Sequence, residues 1–292
     1  MSGWLAIVNP VAGRRGQADA ALRVLTAHTR LAPAVAATTA PGHATELARA
    51  AGDYRGIVAI GGDGTAAEVL AGMDISRQRL AVIPAGHGNC LARDLGFTRP
   101  DAAVAALERG FARPIDLMQV DIEFGDARTE RRWAASTVAV GYVCEVVRNG
   151  FRLAWLGRHA YAASAAITVP VALGARVALD DGVRPLAGLT GIVINNTTHL
   201  ANFRAFVEAS LADGRLDVME NAAGWPRQLL HNAAVLAGSR AFGAARMRQG
   251  PRATVSLEVP GRLMVDGEIL EGVTRFTATC CRSAISCIAG GR

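Results

Sequence analysis

The chain contains no lysine. All 31 of its basic residues are arginines. A Walker-type P-loop needs a lysine on the phosphates, so that class of ATPase is excluded. Chemistry through a lysine Schiff base is excluded with it. Cysteine is scarce: Cys90, Cys144, Cys280, Cys281 and Cys287 make an odd number, and no pair has zinc-ribbon spacing. Reduced thiols of a cytoplasmic protein are the expectation. Aromatic residues make up only 5% of the chain, and they do not interleave with basic residues as in base-stacking surfaces. The net charge of +6 is therefore not read as a sign of nucleic acid. The dinucleotide fingerprint is missing too, because Gly86-His87-Gly88-Asn89-Cys90-Leu91 carries leucine where the third glycine belongs. Met1-Ser2-Gly3-Trp4 runs straight into an apolar segment with no charged leader, so no signal peptide is expected. The longest uncharged apolar stretch, Ala160 to Ala175, is alanine-rich and broken by Pro170. It reads as a buried or interfacial helix and is short for a membrane span.

What the chain does have is a set of glycine turns. Gly61-Gly62-Asp63-Gly64-Thr65 follows the apolar run Gly56 to Ile60 and precedes the helix-forming run Ala66 to Ala71. Strand, glycine turn and helix in that order present free backbone N–H groups to an anion. A carboxylate beside a phosphate needs a cation between them, so Asp63 points to a Mg-nucleotide. Leu5 to Val8 runs into Asn9-Pro10-Val11-Ala12-Gly13, and Leu80 to Ile83 runs into Pro84-Ala85-Gly86-His87-Gly88-Asn89. Three such turns gather at the carboxyl edge of an open parallel sheet, where ligands bind.

The pattern changes near residue 115. Before it, strands alternate with helices such as Gln17–Thr29 and Ala44–Ala51. After Asp116, short alternating runs dominate: Leu117–Phe124, Trp133–Val140, Gly191–Ile194, Phe203–Val207, Thr254–Val259 and Phe276–Thr279. Helical insertions are expected at 150–173 and 226–243, the second opened by Pro226. The expected architecture is α/β + β: a Rossmann-like nucleotide-binding domain over 1–115, then a β-sandwich domain over 116–292, with the last strand a candidate to return to the first domain. Arg148, Arg152 and Arg158 mix with Phe151, Leu153, Trp155 and Leu156, a composition that suits an anionic membrane surface. Arg246, Arg248 and Arg252 form a second cluster, which reads as solvated surface.

Asn9-Pro10…Gly13, Gly61 to Thr65 with Glu68-Val69, Pro84 to Asn89 with Ala92 to Gly96, and Asp266-Gly267-Glu268 occur in an order that resembles the diacylglycerol kinase catalytic family. The bacterial soluble lipid kinases and the related sphingosine and ceramide kinases are similar. The resemblance implies a phosphofructokinase-like α/β domain, a β-sandwich, and transfer of the ATP γ-phosphate to a lipid hydroxyl, diacylglycerol- or sphingoid-like, at a membrane surface. It also implies ATP and Mg²⁺ as cofactors and makes a homodimer a candidate assembly.

Carried over residue by residue, Asn9, Thr38, Gly61, Gly62, Asp63, Gly64, Thr65, His87 and Asn89 are the expected nucleotide positions. Glu268 resembles the proton acceptor, with Asp63 and Asp266 beside it in the catalytic set. Ser210, Asp213 and Arg215 resemble a structural Mg²⁺ loop, Asp213 through its carboxylate and the other two mainly through carbonyl oxygens. His87 stands where the family usually has threonine, and Cys90 where aspartate is frequent. An ordinary Asp-Gly hairpin reads the same as 266–267 in isolation. Two other functions fit parts of the pattern. One is an NAD kinase-like enzyme acting on a soluble nucleotide, which would need no detergent or vesicles. The other is an inactive lipid- or nucleotide-binding homologue.

Overall fold

The computed structural model describes residues 3–28, 30–153, 163–164, 167–168, 177–180, 186–200, 204–221 and 247–291. The first half alternates strand and helix. β1 (Trp4–Val8), β2 (Ala34–Ala37), β3 (Gly56–Gly61) and β4 (Arg79–Pro84) pair in parallel in the order β2-β1-β3-β4. Every residue of β1 and β3 is buried, as expected for a parallel sheet covered on both faces. The covering helices are α1 (Gln17–His28), α2 (His43–Arg49), α3 (Asp63–Gly72), α4 (Cys90–Asp94) and α5 (Pro100–Arg109). The sequence reading overlooked α5, although its ends are well marked. Pro100 occupies its first turn and Gly110 closes it at φ 67°.

The second half is antiparallel. β5 (Ala112–Phe124), β6 (Thr129–Ala134), β7 (Thr137–Gly141), β8 (Val177–Asp180), β9 (Leu186–Leu189), β10 (Gly191–Asn195), β11 (Leu216–Asn221), β12 (Met247–Gly250), β13 (Arg252–Val265) and β14 (Glu268–Ile288) follow. α6 (Tyr142–Arg152) leaves β7 directly. Alternation along the strands sorts the side chains between two faces. Val138, Val140, Ile192, Ile194 and Val265 join Met118, Val120 and Phe276 in one buried cluster. Ala139, Val193, Met219 and Met264 face the other way, against Tyr142 and Val143 of α6. The architecture is a Rossmann-like α/β half followed by a β-sandwich half.

β14 joins the two. It pairs with β13 and β5, and its far end runs parallel to β4 through Ser286↔Arg79 and Cys287↔Leu80. Residue 115 falls inside β5, where Ile115 pairs with Ile285. The sheet is thus continuous through the expected boundary.

Two strand expectations need correction. Trp133–Val140 is not one strand but two, β6 and β7, parted at Ala135-Ser136. The amides of residues 135–137 are bonded to the Asp266 carboxylate, which turns the chain there. Residues 204–207 are irregular and turn, not strand, while Phe203 lies outside the described residues. The helical insertion expected from 150 begins at Tyr142; most of its remainder, with Trp155, Leu156 and Arg158, lies outside the described residues, as do Pro226 with 226–243 and Arg246. Among the described residues no helix is long and apolar enough to cross a membrane.

Candidate active site

The three glycine turns meet at the carboxyl ends of β1, β3 and β4. The Asn9 side chain donates to the Thr65 hydroxyl at 3.2 Å, and its amide oxygen accepts the Val11 N–H at 3.2 Å. Thr38, buried at the end of β2, donates its N–H to the Val8 carbonyl at 2.8 Å. Ala85 donates to the Gly61 carbonyl at 2.8 Å. Gly62 and Gly86 touch: a Cβ on Gly86 would lie 2.4 Å from the Gly62 Cα. The first turn of α3 has no side-chain cap, so its amides and positive dipole end remain available to an anion. Gly64 is exposed there, and a Cβ on it would meet only the Asp266 carbonyl oxygen, at 3.9 Å. A bare, uncapped helix start fits phosphate.

Asp63 opens α3, and one of its carboxylate oxygens accepts the Leu91 N–H at 3.1 Å. It therefore docks α4 onto α3 as well as facing the turn. Asn89 differs from the expectation of a nucleotide contact. It is left-handed at φ 53°, and its side chain folds back on Gly86, accepting from the N–H at 2.9 Å and donating to the carbonyl at 2.8 Å. It shapes the turn that presents the exposed His87.

Asp266 and Gly267 form the two-residue hairpin between β13 and β14, with Val265 paired to Glu268 and φ values of 46° and 95°. Positive φ at both positions is the type I′ signature of such loops. The two acids of this turn face different ways. Asp266 is buried, and its carboxylate accepts the N–H groups of Ala135 at 2.7 Å, Ser136 at 3.0 Å and Thr137 at 2.7 Å. Burial, against these amides and with the nearby Asp63 charge, pushes Asp266 up to about 7. Asp266, expected in the catalytic set, is held inward by these three amides and anchors the turn. Glu268 projects outward, its side chain 58% exposed, and its carboxylate pairs with Arg132 at 2.6 Å.

Several polar residues that the sequence reading did not single out tie this turn to the rest. Thr137 donates to the Asn195 side chain, which donates in turn to the His199 carbonyl at 3.1 Å. Asp94, at the end of α4, accepts the Thr198 N–H at 2.5 Å and hydroxyl at 2.8 Å, and lies 3.0 Å from His199 Nδ1. The path thus runs from Asp63 through α4, Asp94, residues 195–199 and Thr137 to Asp266, back beside Gly64. A charged residue inside an apolar run was the available signal for Asp116, which sits between Ile115 and Leu117. Its carboxylate accepts Gly214 N–H and Ser283 N–H, each at 2.7 Å.

Gly214 belongs to the expected metal loop, which connects through Asp116 and Asn196 to the Ala135-Ser136 turn. The Ser210 hydroxyl accepts the Ala212 N–H, and the Asp213 carboxylate accepts the Arg215 N–H at 2.9 Å. Beside the loop, Asp217 keeps one buried carboxylate oxygen without a hydrogen-bond partner. Burial, opposed by the Gln249 hydrogen bond and reinforced by the Asp213 and Glu208 charges, raises Asp217 to about 6. An unpaired buried oxygen in a field of carboxylates fits a hard cation. Among the described residues no three His, Cys, Asp or Glu side chains converge as a metal cluster, so carbonyl oxygens and water would complete such a site.

The model of the diacylglycerol kinase catalytic domain matches residues 3–120. Diacylglycerol kinase of Bacillus subtilis (strain 168) is 44% identical over 94 residues, 30% of this chain and 31% of that protein. Diacylglycerol kinase of Mycobacterium tuberculosis (strain ATCC 25618 / H37Rv) is 32% identical over 171 residues, 56% of this chain and 53% of its own. The chain thus spans from about a third to about half the length of these relatives. The crystal structure of a diacylglycerol kinase from Bacillus anthracis str. Sterne superposes with a TM-score of 0.72 at 18% identity, covering 99% of this chain and 97% of that one. That likeness in fold includes the β-sandwich half.

Proposed function

We propose that the protein is a lipid kinase that transfers the γ-phosphoryl group of ATP to a hydroxyl of a diacylglycerol- or sphingoid-like lipid. One observation carries the reading: the uncapped start of α3 and the hairpin bearing Glu268 lie side by side, with the Asp266 carbonyl the one atom near a Cβ built on Gly64. Donor and acceptor functions thereby share one place. Phosphoryl transfer is mainly positioning and charge neutralisation, which such an arrangement can supply.

The glycine turns and the α3 amides cradle the phosphates. Asp63 would hold the nucleotide's Mg²⁺, which neutralises phosphate charge when bound. Asp213, with carbonyls of Ser210 and Arg215, would hold a second, structural Mg²⁺ remote from transfer. Glu268 takes the proton of the lipid hydroxyl as its oxygen forms a bond to the γ-phosphorus. The bond from that phosphorus to the β,γ-bridging oxygen breaks, and its electron pair leaves on ADP. Asp266 holds the hairpin by its three amide contacts. Membrane contact would be peripheral.

The test is incubation with γ-labelled ATP, Mg²⁺ and a total lipid extract in vesicles. A labelled lipid is expected. Glu268→Gln should lower turnover by roughly 10²–10⁴-fold, the usual worth of a general base, with Mg-ATP affinity retained. Label entering a soluble nucleotide instead, without need of vesicles, would overturn the reading.

A further inference from the structure

We propose that Arg132 is the positioning residue for Glu268, an assignment that rests on the lipid-kinase reading. Arg132 lies on β6, a strand that also packs against α3, and its guanidinium reaches Glu268 of the hairpin. Nη1 contacts Glu268 Oε2 at 2.6 Å, and Nε contacts Glu130 Oε1 at 2.5 Å. A planar fork can hold two carboxylates in fixed relation, which a point-charge ammonium does less well. Glu130 fixes the fork from behind, and the fork fixes Glu268. A pair with one partner more than half exposed contributes little to stability, so the fold gives it little reason to exist. Its consequence is geometric: an exposed carboxylate is held in one orientation on the hairpin whose Asp266 carbonyl lies near Gly64. Burial works against the Arg132 charge, but the bonds from Glu268 and Glu130 outweigh it and raise its pKa further, so the clamp stays charged over the working pH range.

The chain's lack of lysine sharpens the point. Any side chain that is cationic at every working pH must be an arginine. Arg262, which is close in sequence to the hairpin, is bonded instead to Glu145 and Glu271.

The experiment compares wild type, Arg132→Ala, Arg132→Lys, Glu268→Gln and the Arg132→Ala/Glu268→Gln pair. The assay is labelled-lipid formation in vesicles, with KM for ATP and the thermal unfolding midpoint recorded for each. Arg132→Ala should lose about 10- to 100-fold in kcat with KM for ATP within about two-fold, the pattern of misoriented catalytic geometry. Arg132→Lys, or millimolar guanidinium added to Arg132→Ala, should restore part of the loss. In the Glu268→Gln background Arg132→Ala should cost nothing more, because the clamp has lost what it positions. Wild-type kcat in Arg132→Ala, with Glu268→Gln inactive, overturns this inference and leaves the lipid-kinase reading standing. A lowered midpoint with no restoration by lysine or guanidinium shows a structural role only and overturns it too. Full lipid labelling by Glu268→Gln overturns this inference together with the general-base role of Glu268, while absence of any labelled lipid with wild type overturns the lipid-kinase reading.

Discussion

Replacing Asp266 by asparagine separates the two forces acting on the carboxyl that anchors the hairpin. Both oxygens are engaged, one by Ser136 and Thr137, the other by Ala135. Asparagine keeps one acceptor and puts an NH₂ group in place of the other. A buried amide N–H then faces a donor, at a cost of about 1–3 kcal/mol. Ionisation works in the opposite direction. The folded carboxyl is pushed up to about 7 from an ordinary 3.8. Below 3.8 both folded and unfolded chains hold the proton, so the group adds no pH dependence. As pH rises from 3.8 to 7 the unfolded chain releases its proton while the fold keeps it, and the fold loses about 1.4 kcal/mol per pH unit. The window of 7 − 3.8, about 3 units, sets a ceiling of about 4 kcal/mol, complete above 7.

Asparagine has no such slope. Between pH 5 and pH 8 the balance should therefore move in favour of Asp266→Asn by about 3 kcal/mol, two units of that window. Urea unfolding of both proteins at half-unit steps of pH measures it. Stability curves that stay parallel from pH 5 to 8 would refute the reasoning, because they would mean the three amides keep the carboxylate ionised throughout. A shift of the expected size with unchanged Mg-ATP affinity would locate the effect in the hairpin rather than in the nucleotide turns.

Asp63→Asn retains an acceptor for the Leu91 N–H, so the fold should survive while Mg-ATP affinity and turnover fall together. A calorimetric titration with normal Mg-ATP affinity would contradict the assignment. Gly86→Ala forces a Cβ to 2.4 Å from the Gly62 backbone; the turns must part, with a stability loss of about 1–3 kcal/mol and loss of nucleotide binding. A mutant of normal midpoint and ATP affinity would show that the two turns need not touch. Asp94→Ala strands the Thr198 N–H and hydroxyl, and should cost about 2–3 kcal/mol and lower kcat more than it raises KM for ATP. Equal effects on KM and kcat would argue against coupling between α4 and the hairpin.

The legible part of the fold was local. Gly61 to Thr65 announces strand, turn and helix within a dozen residues, and the same holds for Asn9 to Gly13 and Pro84 to Asn89. The sandwich was readable from alternation, since Val138 and Val140 face one side of β7 and Ala139 the other. Trp133–Val140 misled because alternation continues across Ala135-Ser136. What breaks the strand there is a carboxylate about 130 positions away, and no window of sequence contains both. The inward placement of Asp266 was unreadable for the same reason. Its Asp-Gly context marks the turn but carries no information on which acid faces inward. Asn89 showed another limit, because a side chain able to bond a phosphate can equally bond its own turn.

Arg132, Asp94 and Asn195 were hidden for a deeper reason. Their roles consist entirely of contacts between segments far apart in the chain: Arg132 with Glu268, Asp94 with Thr198, Asn195 with Thr137. A buried polar chain of this kind rigidifies when its members are satisfied, and truncating a member exposes the rest to the full desolvation penalty. It also fixes how the halves communicate. Asp63 touches the nucleotide side and docks α4; α4 ends in Asp94; Asp94 holds the loop that holds Thr137; Thr137 holds Asp266. β14 adds a covalent link, beginning at Glu268 and ending beside β4. A shift of the glycine turns must therefore be felt at the acceptor hairpin by two routes, one polar and one through the strand. In the lipid-kinase reading, placement of Glu268 then depends on residues that neither proposed substrate touches, which is why Asp94→Ala is expected to act on kcat.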